Sequence, residues 1–359
     1  MSHVLVVRPD NAGDVLLAGP AVRAVAAGAS QVTLWCGPAG AAAGALLPGV
    51  DRVVVHRADW IDPDANHVDR DHVLGFVDDL AGLAIDRALV LTSFHQSPLP
   101  AALVLRLAGV KTIAAVSDDF PGALLDVRHR VDPDIHEVER SLSLAAALGY
   151  RLPAGDHGGL AVDLPADTTA HVAAGPAGVV LGDDVVVVHP GASVPARAWA
   201  PARHRELVAM LTAGGWRVVV TGGRSERALT DHVAAGRAVD LGGRTSLAQL
   251  AAVLSHAAAV ITGNTGPAHL AAAVGTPVVS LFAPTVPPVR WRPWGVPHVL
   301  LGAHDIGCAG CRASRCPIPG HPCIDRVTPH DVTAALHRLL SDRDQIAPPL
   351  VATARGATP

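Results

Sequence analysis

Three short stretches of the chain combine residue types that can move a proton or hold an anion. In Arg8-Pro-Asp-Asn-Ala-Gly13-Asp14, a carboxylate follows glycine where an apolar run gives way to a helical pattern. A carboxylate in that place is either a helix cap or a general base that takes a proton from a hydroxyl. In His189-Pro-Gly-Ala-Ser193-Val-Pro-Ala-Arg197-Ala-Trp199, small residues let a ligand approach the backbone. Ser193 adds a hydroxyl, and Arg197 adds a fixed charge suited to a diphosphate. A glycine-containing turn with a solvated arginine accounts for the same residues. The stretch is not a P-loop, because Gly-Lys-Ser/Thr is missing. In Thr262-Gly-Asn264-Thr265-Gly266-Pro-Ala-His269, a glycine-rich turn opens a helix whose first N–H groups form an anion site. Asn264 and Thr265 are also the residues that would simply cap that helix, and His269 falls on its first turn.

A fourth group has a different chemistry. Cys308, Cys311, Cys316 and Cys323 are spaced C-x2-C-x4-C-x6-C. In a reducing compartment this is a tetrahedral zinc or iron–sulfur ligand set, or else a loop of reduced thiols. Cys36 lies in a strand pattern and reads as a small core residue.

These residues need elements to hold them. Residues 3–8 read as a buried strand, and a helical pattern follows from Asp14 to Ala27, kinked or started at Pro20. Strands at 31–36, 52–55, 87–92 and 112–116 alternate with helices at 71–83 and 100–108. A second series opens with four consecutive valines at 185–188, fit for a strand buried on both faces. Helices at 201–213, 225–235, 246–255 and 266–273 then alternate with strands at 217–221, 260–262 and 278–282. The pattern is α/β: two Rossmann-like parallel-sheet domains, residues 1–165 and 177–340, facing across a cleft. The linker is expected within Leu152–Pro176, rich in Gly, Pro, Ala and Asp, and residues 343–359 read as a flexible tail.

Composition narrows the function classes. The 359 residues carry 28 basic and 32 acidic side chains, a net charge of −4 with Lys111 the sole lysine, so no nucleic-acid partner is expected. No window reaches 18 uninterrupted apolar residues, which argues against a membrane span. The first residues run directly into a strand pattern rather than a signal peptide, so a cytoplasmic location is expected. Any membrane contact would be peripheral.

Taken together, the motifs resemble glycosyltransferase family 9, the ADP-heptose:lipopolysaccharide heptosyltransferases. Arg8–Pro20 resembles the family's strand–x–Gly-Asp–x5–Pro signature, and Thr262–Leu270 its Asp/Asn-Thr-Gly-x-x-His-Leu signature. Asp240-Leu-Gly-Gly-Arg-Thr-Ser-Leu-Ala-Gln-Leu and His136-Glu-Val-Glu-Arg140 with Leu148-Gly149 are similar to two further family segments. The resemblance spans residues 3–340. It implies a GT-B fold, with the nucleotide-sugar donor on the C-terminal half and a glycan, glycolipid or small-metabolite acceptor on the N-terminal half. It implies transfer with inversion, and no cofactor required for catalysis. By the same resemblance Asp14 is the base, Arg197 binds the diphosphate and Glu226 the ribose, and Thr265, Gly266 and His269 line the donor phosphates; Ser193 and Asn264 join them as donor-binding candidates. Asn264 stands where heptosyltransferases often carry Asp. A structural zinc or iron–sulfur site at the four cysteines remains open. So do two other readings, a GT-B nucleotide-sugar epimerase and a non-catalytic sugar-nucleotide- or metal-binding protein.

Overall fold

The computed structural model describes residues 2–61, 67–166, 168, 182 and 184–346. Two six-stranded, wholly parallel sheets organise it. The first contains β1 (His3–Arg8), β2 (Gln31–Cys36), β3 (Arg52–Val55), β4 (Arg87–Val90), β5 (Thr112–Val116) and β6 (Val127–His129), in the order β3-β2-β1-β4-β5-β6. The second contains β7 (Val185–His189), β8 (Arg217–Val220), β9 (Val239–Asp240), β10 (Ala259–Gly263), β11 (Val278–Leu281) and β12 (His298–Leu301), in the order β12-β11-β10-β7-β8-β9. Each sheet therefore runs 3-2-1-4-5-6 in its own numbering. Each changes direction once, between β1 and β4 and between β7 and β10. Ligands in such sheets bind beyond the strand carboxyl ends at that change.

The helices of the first half are α1 (Ala12–Ala26), α2 (Ala41–Gly44), α3 (Arg70–Ala81), α4 (Leu99–Leu107) and α5 (Glu137–Ala147). Those of the second are α6 (Pro201–Ala213), α7 (Arg227–Ala234), α8 (Leu247–Ser255), α9 (Gly266–Ala273), α10 (Pro288–Trp291) and α11 (Pro329–Ile346). Alternation along β1 sends Val4 and Val6 to one apolar cluster and Leu5 and Val7 to another, around Trp35 and Phe76. The first cluster continues across α1 into Ala268, Leu270 and Val185, so the two halves share apolar packing behind the cleft.

Pro20 neither starts nor breaks α1, which runs through it from Ala12. Proline inside a helix costs about 3 kcal/mol. Nearly every residue of α1 from Gly13 to Val25 is buried, and that packing outweighs the local cost. The first residues of the expected linker are pinned rather than loose: Arg23 bonds Asp156 at 2.6 Å and the Gly159 carbonyl at 2.7 Å. Trp294 Nε1, from the other half, donates to the Gly158 carbonyl at 2.8 Å. Most of the remaining linker, 169–176, lies outside the described residues. Of the segment read as a tail, the first four residues complete α11, and 347–359 lie outside the described residues. β6, α5, β12 and α11 are elements that the sequence patterns left unassigned.

Candidate active site

Both changes of strand direction open on one cleft of about 660 Å³. From the first half it is lined by Asp10, Gly13, Asp14, Ser93, His95 and Gln96. From the second half come Ser193, Arg197, Asn264, Thr265, Gly266, His269 and Trp291. Seven of the residues picked out in the sequence therefore meet in one place. Glu226 does not line this cleft. Its carboxylate accepts from Gly223 N at 2.6 Å, lies 3.9 Å from His189 Nε2, and rests on Gly191, behind the turn that carries Ser193. A methyl on Gly191 would fall 2.0 Å from Glu226 Oε1, so any larger residue there would push the Glu226 carboxylate aside.

Asp14 sits in the first turn of α1, yet it is not the cap. Asn11 occupies the cap position and makes no side-chain cap bond. Asp14 Oδ1 accepts from Arg8 Nη2 at 3.0 Å and from Trp291 Nε1 at 3.4 Å. Arg8 ends β1 fully buried and is shared by four acceptors. Besides Asp14 it meets Asp10 at 3.1 Å, Glu137 at 3.4 Å and Ser93 Oγ at 3.2 Å. Burial works against its charge, but the three carboxylates together hold it well above the ordinary arginine range. Asp10 is pushed up to about 6, first by burial and then by Asp14 and Glu137, while Arg8 and a 2.7 Å bond from Gln96 pull the other way.

The opposite wall is built from helix and turn ends. Thr265 is the N-cap of α9 and makes no side-chain cap bond; its hydroxyl instead pairs with Thr262 at 3.2 Å. Pro267 has no N–H and Ala268 N donates to the Thr265 carbonyl at 3.0 Å, so the Gly266 N–H, with the positive end of the helix, is what the first turn of α9 offers an anion at the cleft. Arg197, in the turn Pro195–Arg197, is held by Thr285 Oγ1 at 3.2 Å; burial lowers its pKa and Asp14 partly restores it. His269 is 3% exposed, and burial pushes it down to about 4, so near pH 7 it is a neutral donor rather than a charge. Its Nδ1 has no protein partner.

Gly13 explains the tight meeting of the two walls. A methyl there would lie 3.1 Å from His269 Cδ2 and 3.2 Å from the Gly266 Cα. The N-termini of α1 and α9 therefore approach within touching distance across the cleft. Further links join the halves nearby. His136 accepts from Val138 N at its Nδ1, so its Nε2–H donates to the Arg292 carbonyl at 2.9 Å, and its ring stacks on Trp294. Arg290 and Arg312 place guanidinium carbons 3.9 and 4.6 Å from the Phe94 ring centre.

Sequence reading missed Arg8, Asp10, Glu137 and Trp291. Arg8 carried one usable signal: a charged residue closing an otherwise apolar strand is seldom buried without partners. Glu137 and Trp291 lie 129 and 277 positions from the residues they bond, and no local spacing reports them.

The four cysteines lie apart from the cleft proper. All are free, and all line a pocket of about 40 Å³ with Ala196, Pro284, Thr285 and His321. Burial pushes the Cys323 thiol up to about 11, and the neighbouring sulfurs of Cys316, Cys308 and Cys311 add to the shift. Among the described residues, no three Cys, His, Asp or Glu side chains stand at metal-binding spacing. Cys36, deep in the first core, is also pushed up to about 11 by burial, as an inert core thiol should be.

No helix among the described residues is long and apolar enough to cross a membrane. A comparison with curated proteins gave no match. Among solved structures, the fold is similar to a glycosyl transferase family 9 protein from Veillonella parvula DSM 2008, with TM-score 0.76, 16% identity, and 95% of this chain and 97% of that one covered. It is similar to E. coli ADP-heptose lps heptosyltransferase II, with TM-score 0.74, 20% identity and coverage of 95% and 99%. A more distant likeness, with TM-score 0.55, 16% identity and coverage of 95% and 76%, is to the iron-containing dodecameric glycosyltransferase TibC from enterotoxigenic E. coli H10407. The architecture is that of the GT-B enzymes. The model of glycosyltransferase family 9 (heptosyltransferase) matches residues 76–321, more than half of the chain, and the protein belongs to that family.

Proposed function

We propose that this transferase moves a heptose-like sugar from a nucleotide sugar, with ADP-heptose the first candidate, to a hydroxyl of a glycan, glycolipid or small-metabolite acceptor. Transfer inverts the anomeric carbon and uses no metal at the reaction centre. The observation that carries this reading is the single cleft in which the Asp14 carboxylate faces Arg197, His269 and the start of α9.

The chemistry follows from that arrangement. The bond from the anomeric carbon to the diphosphate breaks, and negative charge collects on the departing oxygens. Arg197 and the α9 N-terminus supply fixed positive potential there, and neutral His269 supplies a hydrogen-bond donor. Ser193, Asn264, Thr265 and Gly266 line the same wall, and Glu226 supports the turn beside it, where a ribose would be met. Asp14, on the facing wall, takes the proton of the acceptor hydroxyl as its oxygen attacks from the opposite side of the sugar. The name of heptosyltransferase II, whose fold this chain shares, supports ADP-heptose as donor.

A structural metal at the four cysteines is a separate reading, independent of the transferase function. Four thiols around one small pocket have the donor chemistry of a zinc or iron–sulfur site, and a relative in fold is described as iron-containing. For Cys308, Cys311, Cys316 and Cys323 to hold a metal, their loop would have to draw the sulfurs together, because no three of them stand at metal-binding spacing among the described residues; such a metal would not enter the reaction.

A panel of ADP-, GDP- and UDP-sugars tests the function, read by calorimetric binding and by nucleoside diphosphate release with and without acceptor. ADP-heptose should bind most tightly, with its sugar released only by transfer or slow hydrolysis. A donor converted to its epimer without any acceptor would overturn the transferase reading in favour of an epimerase.

A further inference from the structure

Asp14 is held by one oxygen only, and by both halves of the protein at once. Oδ1 accepts from Arg8, which belongs to β1 of the first half, and from the Trp291 indole, which belongs to α10 of the second. The side chain remains 19% exposed and lines the cleft. The Arg8 side of this grip is rigid. Its guanidinium is fixed by Asp10, Glu137 and Ser93 around it, and Glu137 comes from the first turn of α5, itself packed on α1. The Trp291 side depends on how the halves meet, because its ring stands 5.3 Å from Phe94 across the junction.

We propose that Arg8 and Trp291 are positioning residues that fix Oδ1 of Asp14 from opposite sides of the cleft, so that the other oxygen faces the acceptor hydroxyl only when the halves are seated together. The proposal rests on reading Asp14 as the base. A carboxylate bonded through one oxygen keeps a defined plane, whereas one freed from either donor can rotate and spend time turned away from the acceptor. The grip through Trp291 also ties that orientation to the contact between domains. Trp291 also lines the donor-side wall, so the comparison between the wild-type and Asp14→Asn backgrounds, rather than the single variant, isolates the positioning effect.

The test is Trp291→Phe, which keeps an aromatic ring against Phe94 and removes the N–H, in wild-type and Asp14→Asn backgrounds. Single-turnover rates and donor KM are measured for all four proteins. In the wild-type background the rate should fall about tenfold with donor KM unchanged, the scale expected for a modest loss of alignment. In the Asp14→Asn background the same substitution should cost less than twofold, because there is no base left to orient. Equal losses in both backgrounds, or no loss in the first, would overturn the positioning role. Asp14→Asn turning over at the wild-type rate would instead remove the base reading itself. Because Arg8 is buried among three carboxylates, it is tested by the ratio of Arg8→Lys to Arg8→Met. Lysine keeps one charged donor and should recover at least tenfold in rate over methionine at equal folded fraction; equal rates would limit Arg8 to holding the fold.

Discussion

The close meeting of α1 and α9 gives the sharpest separation between folding and turnover. Gly13 lies in the first turn of α1, where its lack of a side chain is not demanded by an unusual backbone angle. Replacing a helical glycine with alanine ordinarily stabilises by about 0.5–1 kcal/mol. Here the new methyl would lie 3.1 Å from His269 Cδ2 and 3.2 Å from the Gly266 Cα. Carbon atoms rest comfortably at about 3.5–4.0 Å, so roughly half an ångström must be found. Backbone and a buried ring supply the contact, and neither yields as a flexible side-chain end would. The relief available is a slight parting of the two walls. Because a misplacement of about 1 Å can cost 10²-fold in rate, half of that predicts a loss of about tenfold. Gly75, in α3, is the control: nothing lies within 4 Å of its added methyl. Gly75→Ala should raise the melting temperature and leave turnover unchanged. Gly13→Ala should lack the rise in melting temperature seen in Gly75→Ala, because strain against α9 offsets the helix gain, and should turn over about tenfold more slowly. Thermal unfolding and steady-state kinetics on the two variants decide the matter. Wild-type turnover in Gly13→Ala would refute the claim that this approach sets the cleft.

Three further outcomes are expected. Burial, with a smaller contribution from His189, pushes His204 down to about 3; the folded state then binds fewer protons than the unfolded state below about pH 6.5, so stability is complete above that pH and lost as pH falls. Urea titrations at pH 7.5 and 5.5 should show His204→Leu losing about 1.4 kcal/mol less than wild type over that interval, and equal losses would contradict the assignment. Arg197→Ala should weaken ADP binding by about 1.5–3 kcal/mol in calorimetry, the range for a hydrogen bond to a charged group, and equal affinity would remove Arg197 from the donor site. Because no three of Cys308, Cys311, Cys316 and Cys323 stand at metal-binding spacing among the described residues, protein purified without added metal or oxygen should be metal-free and melt alike with and without chelator; one metal equivalent per chain, lost when Cys311 and Cys316 become Ser, would instead establish a structural site.

What the sequence made legible was whatever its local order encodes. The run of valines at 185–188 could only be a buried strand, and it is wholly buried as β7. The turn-to-helix passages at Gly13 and Gly266 mark strand ends at which parallel sheets bind ligands, and both passages open on the cleft. The pairs that complete the site were hidden because they are distant in sequence. Arg8 finds Glu137 through α5, an element whose apolar face is short and mixed with charge, and Trp291 reaches Asp14 from a four-residue helix too brief to show a period. Glu226 does not line the cleft, and its contacts with Gly191 and His189, on the strand and turn that lead to Ser193, join residues more than thirty positions apart. Pro20 does not start the helix, because burial along the length of α1 carries the helix through it from Ala12.

The central claim is that Asp14 performs the proton transfer while the facing wall holds the donor. Asp14→Asn tests it most directly, with ADP affinity measured by calorimetry and sugar transfer measured on the same preparation. Asparagine preserves the shape and can still accept from Arg8 and Trp291, but it cannot take up a proton. ADP affinity should remain within about twofold of wild type while transfer falls by about 10²–10⁴, the scale of a positioned base. Transfer at the wild-type rate by the folded variant would contradict the account.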